Sequence, residues 1–90
     1  MGRASKTLDQ MRTNPQGWRI EDISTACNQL RELGVELRPP TRGSHYKVVH
    51  PNVPEILTIP AKRPLKAIYV KRFISMIDSI VEISGDNDRP

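Results

Sequence analysis

The stretch Arg42-Gly43-Ser44-His45-Tyr46-Lys47-Val48-Val49-His50-Pro51 constrains this chain more than any other. It opens on a turn signal, runs through β-branched and aromatic residues, and stops at a proline, which is the pattern of one short strand. Side chains alternate along a strand, so Tyr46 and Val48 point one way and His45, Lys47 and Val49 the other. The first set suits a core. The second sets an imidazole beside an ammonium on an open surface. The parity also separates the two histidines: His45 and His50 are an odd number of positions apart, so they face opposite sides of a regular strand. They are therefore not expected to share a metal ion or form a close acid–base pair, and His50 is expected to end the strand with a hydrogen bond near Pro51. A β-bulge would undo this reasoning.

The segments around this strand fall into regular elements. Residues 5–13 carry Leu8 and Met11 three apart, with Ser5 as a possible N-cap, and predict a short helix that must dock or fray. Asn14-Pro15-Gln16-Gly17 is a turn. Trp18, the single tryptophan, is expected where the two helices meet. Ile20, Ile23, Ala26, Cys27, Leu30 and Leu33 recur at helical steps, with Glu21 and Asp22 favouring the first turn and Gly34 placed as a C-cap. Val35-Glu36-Leu37-Arg38 alternates as a strand with Val35 and Leu37 inward, ended by Pro39-Pro40. Asn52-Val53-Pro54 leads to a third strand over 55–60 with Leu57 and Ile59 inward. Pro60 and Pro64 then bracket the loop Ala61-Lys62-Arg63. A last helix is predicted over 67–83, with a buried stripe of Val70, Phe73, Ile74, Ile77, Ile80 and Val81 and a stop near Gly85. The order α-α-β-β-β-α predicts an α+β fold: a three-stranded antiparallel sheet with helices packed on one face and the other face open. The expected organisation is a short helix and turn over 1–17, the main domain over 18–83 and a disordered tail over 84–90.

Charge and length narrow the function classes. Ninety residues suffice for one domain with a modest core. No apolar run of about 18 residues is present, so no membrane partner is expected, and nothing behind Met1-Gly2-Arg3 reads as a signal peptide. The lone Cys27 fits a core position in a protein of a reducing, cytoplasmic compartment. A catalytic thiolate would need a cationic, accessible site that the neighbouring residues do not offer. The net charge is +4, unevenly spread. Between Arg38 and Arg72 there are eight Lys or Arg against the single acid Glu55, while the rest of the chain holds six basic and nine acidic residues. A basic strand-and-loop half is the footprint of a phosphate-binding surface. No cluster of Cys, His or carboxylates has metal-ligand spacing, so neither a metal nor another cofactor is expected.

Gly43-Ser44-His45, an aromatic residue next, an apolar residue two further on, and then His50-Pro51 resembles the signature of the HicA toxins, the ribonuclease halves of HicAB toxin–antitoxin pairs. Ile56-Leu57-Thr58-Ile59-Pro60 followed by Lys62-Arg63-Pro64 is similar to that family's next strand and basic loop, and the final amphipathic helix fits too. The match covers roughly residues 20–82, in order. It implies a double-stranded-RNA-binding-domain-like fold, with the N-terminal helix as an addition to the smallest family pattern. It also implies His45 as the catalytic histidine, mRNA cleavage that stops translation, and a HicB-type antitoxin partner covering the basic sheet face. The family often carries a second His after Gly-Ser-His and another after the Val-Pro of its next strand. Tyr46 and Ala61 stand in those places here, which leaves a single-histidine mechanism.

Ribose-assisted RNA cleavage needs a base for the 2′-hydroxyl, cations for the phosphate and an acid for the leaving oxygen. An imidazole titrates near pH 6.5 when free and suits either proton transfer; Lys and Arg suit the phosphate. His45 is accordingly the expected general acid/base. Lys47 is the nearest cation, Lys62, Arg63 and Lys66 are expected to grip the flanking RNA backbone, and Arg42 and Ser44 are possible turn contacts. Lys47, Tyr46 or water remain open as the second proton-transfer partner. DNA lacks the 2′-hydroxyl this chemistry requires. Two other readings use the same residues differently: a non-catalytic RNA-binding module on the same fold, which needs the cations but not His45, and a helper subunit whose basic face docks a partner protein.

Overall fold

A computed structural model describes residues 3–85, with side chains placed over 6–81. Helices α1 (Arg3–Thr13) and α2 (Ile20–Gln29) precede strands β1 (Glu36–Arg38), β2 (His45–His50) and β3 (Val53–Pro60), and helix α3 (Ala67–Gly85) closes the chain. The strands form one antiparallel sheet in the order β1-β2-β3. This is an α+β fold with an open sheet, in the predicted order of elements.

Strand alternation sets the two faces. Val35, Val48 and Ile59 are buried and Leu37, Tyr46 and Leu57 half-buried, all on the helix side. Glu36, Arg38, His45, Lys47, Ile56 and Thr58 are exposed on the other. The core joins the inner row to Ile23, Ala26 and Cys27 of α2 and to Val70, Phe73, Ile77 and Ile80 of α3. Helix α1 docks rather than frays: Met11 is fully buried and Leu8 nearly so. A bidentate pair also ties α1 to α3, Arg12 Nη1 and Nη2 each donating to an Asp78 carboxylate oxygen at 2.6 Å. Hydrogen bonding to Arg12 holds the Asp78 carboxyl below the usual carboxylate range. Trp18 packs against the core, its Nε1 donating to the Asn14 carbonyl at 2.6 Å, and its carbonyl accepts from the Leu65 amide at 2.8 Å.

Several local expectations are corrected. The first helix begins at Arg3, so Ser5 lies inside it and is not its cap. Helix α2 stops at Gln29 because the Leu30 amide is shared between the Ala26 and Cys27 carbonyls, which tightens the chain into a 3₁₀ turn over Arg31–Leu33. Leu30 and Leu33 are consequently half-buried rather than core. Gly34 caps that turn with φ +89°. The third strand starts at Val53, two residues early, through a tight Pro51-Asn52 turn. Pro54 is tolerated there because β3 is an edge strand. Val81 is 44% exposed, since periodicity gives the inward side of a helix but not how far a neighbour accompanies it. Leu65 and Met76, absent from the predicted core, are buried. Helix α3 runs through Ser84 and Gly85, and the rest of the expected tail, 86–90, lies outside the described residues.

Candidate nucleic-acid interface

Position on β2 decides what each residue of the site can do. His45 opens the strand, exposed, directly across from Pro60. Lys47 follows on the same face, between Arg38 of β1 and Thr58 of β3. Cα atoms of directly opposed residues lie about 4.5–5.5 Å apart, so the Arg38 and Lys47 side chains leave the sheet as neighbours on the same face. Like charges facing each other across a ladder are unfavourable unless an anion bridges them. Arg38 Nε approaches Glu36 Oε2 at 3.6 Å with both side chains exposed, which offsets little of this. No ion pair engages Lys47 among the described residues. Likewise, no hydrogen bond holds the His45 ring among the described residues, which leaves both its nitrogens open to a ligand.

The loop after β3 leaves from the His45 end of the sheet and turns toward the helix layer, where the Leu65 amide donates to the Trp18 carbonyl. The Ser44 carbonyl accepts from the Ala61 amide at 2.8 Å, carrying the β2–β3 ladder one step past the strands. This brings Lys62 close to the Thr41-Arg42-Gly43-Ser44 turn. Lys62 and Lys66 are exposed, and the Lys66 carbonyl accepts from the Tyr69 amide at 3.0 Å, placing Lys66 at the start of α3. Arg63 is partly committed elsewhere: its Nη2 donates to Glu21 Oε2 at 2.8 Å, strapping the loop to the first turn of α2. Arg42 and Ser44 are exposed in the turn.

The structure separates the candidates for proton transfer. Tyr46 lies half-buried on the helix side, opposite Ile59 and across the sheet from His45, so it is removed as His45's partner. Of the three alternatives, Lys47 and water remain on the open face. His50 is structural. It is 6% exposed; its Nε2–H donates to the Leu33 carbonyl, and its Nδ1 accepts from the Asn52 amide at 3.0 Å. The bond pattern fixes the ring as a neutral Nε2–H tautomer, assigned from its partners. The expected separation of the two histidines holds despite a register shift: Val49 faces residues 54–56, so the two extra residues lie in β3 and the alternation of β2 is undisturbed.

Sequence reasoning counted Arg38 in the basic half but did not place it in the site. Its outward parity was readable; its position beside Lys47 required the β1–β2 register. Cys27 is buried and its thiol is pushed up to about 12 by burial, an inert core residue. No three His, Cys, Asp or Glu side chains are grouped to hold a metal ion among the described residues. No helix among them is long and apolar enough to cross a membrane.

The open sheet face carries the exposed His45 imidazole with Lys47 and Arg38 on the same side. Compared with protein-family models, curated proteins and solved structures, the chain matches none of them.

Proposed function

We propose that this chain is a metal-independent endoribonuclease of the HicA toxin type, cleaving mRNA in the cytoplasm with His45 as general acid/base. The observation that carries the reading is the exposure of an unengaged His45 ring on the same face as Lys47 and Arg38. In the proposed reaction His45 accepts the proton of a ribose 2′-hydroxyl. The 2′-oxygen then attacks the adjacent phosphorus and the bond to the 5′-oxygen breaks, leaving a 2′,3′-cyclic phosphate. Water or Lys47 supplies the proton to the departing 5′-oxygen. Lys47 and Arg38 hold the phosphate and stabilise the charge that builds on it, and relief of their mutual repulsion adds to binding. The element order and the helix-covered face support the double-stranded-RNA-binding-domain-like arrangement of that family.

Lys62 and Lys66 extend the cationic surface along the RNA backbone. Arg63 contributes less, because Glu21 already engages it. With Arg38, Lys47, Lys62 and Lys66 each meeting one phosphate, affinity for single-stranded RNA falls with salt at a log–log slope of about −3. Few aromatic side chains line the face, so bases are read weakly and sequence preference is loose. A HicB-type antitoxin with an acidic surface would neutralise the same face.

The test is cleavage of a labelled RNA in EDTA by wild type and His45→Ala, with the product ends identified. Wild type should leave 2′,3′-cyclic ends and the variant should be inactive yet bind RNA as well. Equal cleavage by the variant sinks the catalytic assignment. Salt-dependent binding with no cleavage by wild type favours the non-catalytic RNA-binding module instead.

A further inference from the structure

The least explained surface is the free edge of β3. An eight-residue edge strand is long for an uncovered edge, and such edges invite pairing with another chain. The phase of the ladder shows which amides it offers. Ser44 and Ala61 are hydrogen-bonded to each other, so Tyr46–Ile59 and Val48–Leu57 exchange backbone bonds and the intervening pairs do not. Pro60, which has no amide hydrogen, falls in a non-bonded pair as this requires. The backbones of Thr58 and Pro60 therefore point outward, as does that of Ile56 next to the bonded Leu57, while Pro54 lies past the register shift opposite Val49. Two amide donors, Ile56 and Thr58, are left facing solvent between two prolines.

We propose that the β3 edge pairs with the β3 edge of a second copy of this chain, about a two-fold axis through Leu57. The register is self-complementary. Pro54 and Pro60 lie three residues on either side of Leu57, so the axis sets the prolines opposite one another, where neither has a donor to lose. It sets Ile56 opposite the partner's Thr58 and Thr58 opposite the partner's Ile56, and both outward donors find acceptors. The groove of about 600 Å³ between β3 and α3 matches the same operation. It carries one carboxylate, Glu55, and one guanidinium, Arg72, and neither has an ion pair among the described residues. The axis carries each Glu55 toward the partner's Arg72, making two ion pairs. Ile56, 58% exposed, loses part of that exposure at the junction.

A two-fold normal to the sheet keeps both open faces on one side, so the dimer is a six-stranded sheet with one continuous basic surface. Two exchanged backbone pairs and two exposed ion pairs make a weak association, so the dimer is sought at micromolar concentrations. This inference does not rest on the ribonuclease reading and is tested without RNA.

Sedimentation equilibrium from about 1 to about 500 µM spans that range. The wild-type mass should rise toward twice that of the chain, with slowed hydrogen exchange at the Ile56 and Thr58 amides at high concentration. Thr58→Pro removes one outward donor and leaves the β2–β3 bonds intact, so it should stay monomeric with an unchanged circular dichroism spectrum. Glu55→Arg and Arg72→Glu should each weaken association at least about tenfold, and the double variant should restore it. Charge reversal keeps the test decisive if the proline variant does not fold. A wild type monomeric throughout, a dimer that survives Thr58→Pro, or a double variant as weak as the single ones overturns the proposal. Protection of both amides solely on adding a different protein overturns it in favour of a heterologous strand.

Discussion

Replace His50 by leucine, which keeps the buried volume and removes both ring nitrogens. Two partners then lose their bonds: the Leu33 carbonyl in the 3₁₀ turn and the Asn52 amide in the β2–β3 turn. Both sites are partly buried, so water replaces the lost bonds imperfectly, and each costs about 1 kcal/mol. The total of about 2 kcal/mol lowers the melting temperature by roughly 8–16 °C for a domain of this size. Thermal melts followed by circular dichroism and Trp18 fluorescence measure it. The catalytic assignment predicts the opposite pattern for His45→Ala: stability within about 0.5 kcal/mol of wild type, as for a free surface side chain, with RNA cleavage lost. Below its own midpoint, His50→Leu should cleave at the wild-type rate. A shift of under about 2 °C for His50→Leu would show that its two bonds hold nothing. Loss of cleavage by the folded His50→Leu protein would put His50 in the chemistry and refute the division of labour.

Three further outcomes follow from the same geometry. Gly34→Ala should destabilise more than Gly17→Ala: both have positive φ (+89° and +82°), but a Cβ at Gly34 lies 3.3 Å from His50 Nε2, while none meets an atom within 4 Å at Gly17. The shared strain is about 1–2 kcal/mol, and equal losses by chemical denaturation would show that the His50 contact is inconsequential. Burial raises the Cys27 thiol from 9.0 to about 12, so the unfolded chain ionises first, and the linked stability is full below pH 9 and declines as pH rises toward 12. Wild type should therefore lose about 1.4 kcal/mol more than Cys27→Ala by one pH unit above 9, read from urea midpoints; parallel curves would contradict the buried thiol. Phe73→Ala should cost about 3–5 kcal/mol and Leu30→Ala nearer 2, because Phe73 is fully buried and Leu30 lies half-exposed on the turn that ends α2. A larger loss at Leu30 would reverse the core assignment.

The sequence alone determined the order of the elements, the inward and outward sets of each strand, the buried stripe of α3 through Ile80 and the opposite facing of His45 and His50. These follow from periods of two and 3.6 residues, which are local properties of the backbone and are written into the residue order. Whatever depended on a neighbour from elsewhere in the chain was decided by tertiary structure. Arg38 was set opposite Lys47 by the pairing of β1 with β2, Arg63 was drawn to Glu21, and Tyr46 was packed against the core. Leu65 was buried by its loop's bond to Trp18, and Val81 was left exposed where its inward-facing side met no cover. A residue's own period says which way its side chain points; what lies there is set by long-range contacts whose register no local spacing encodes.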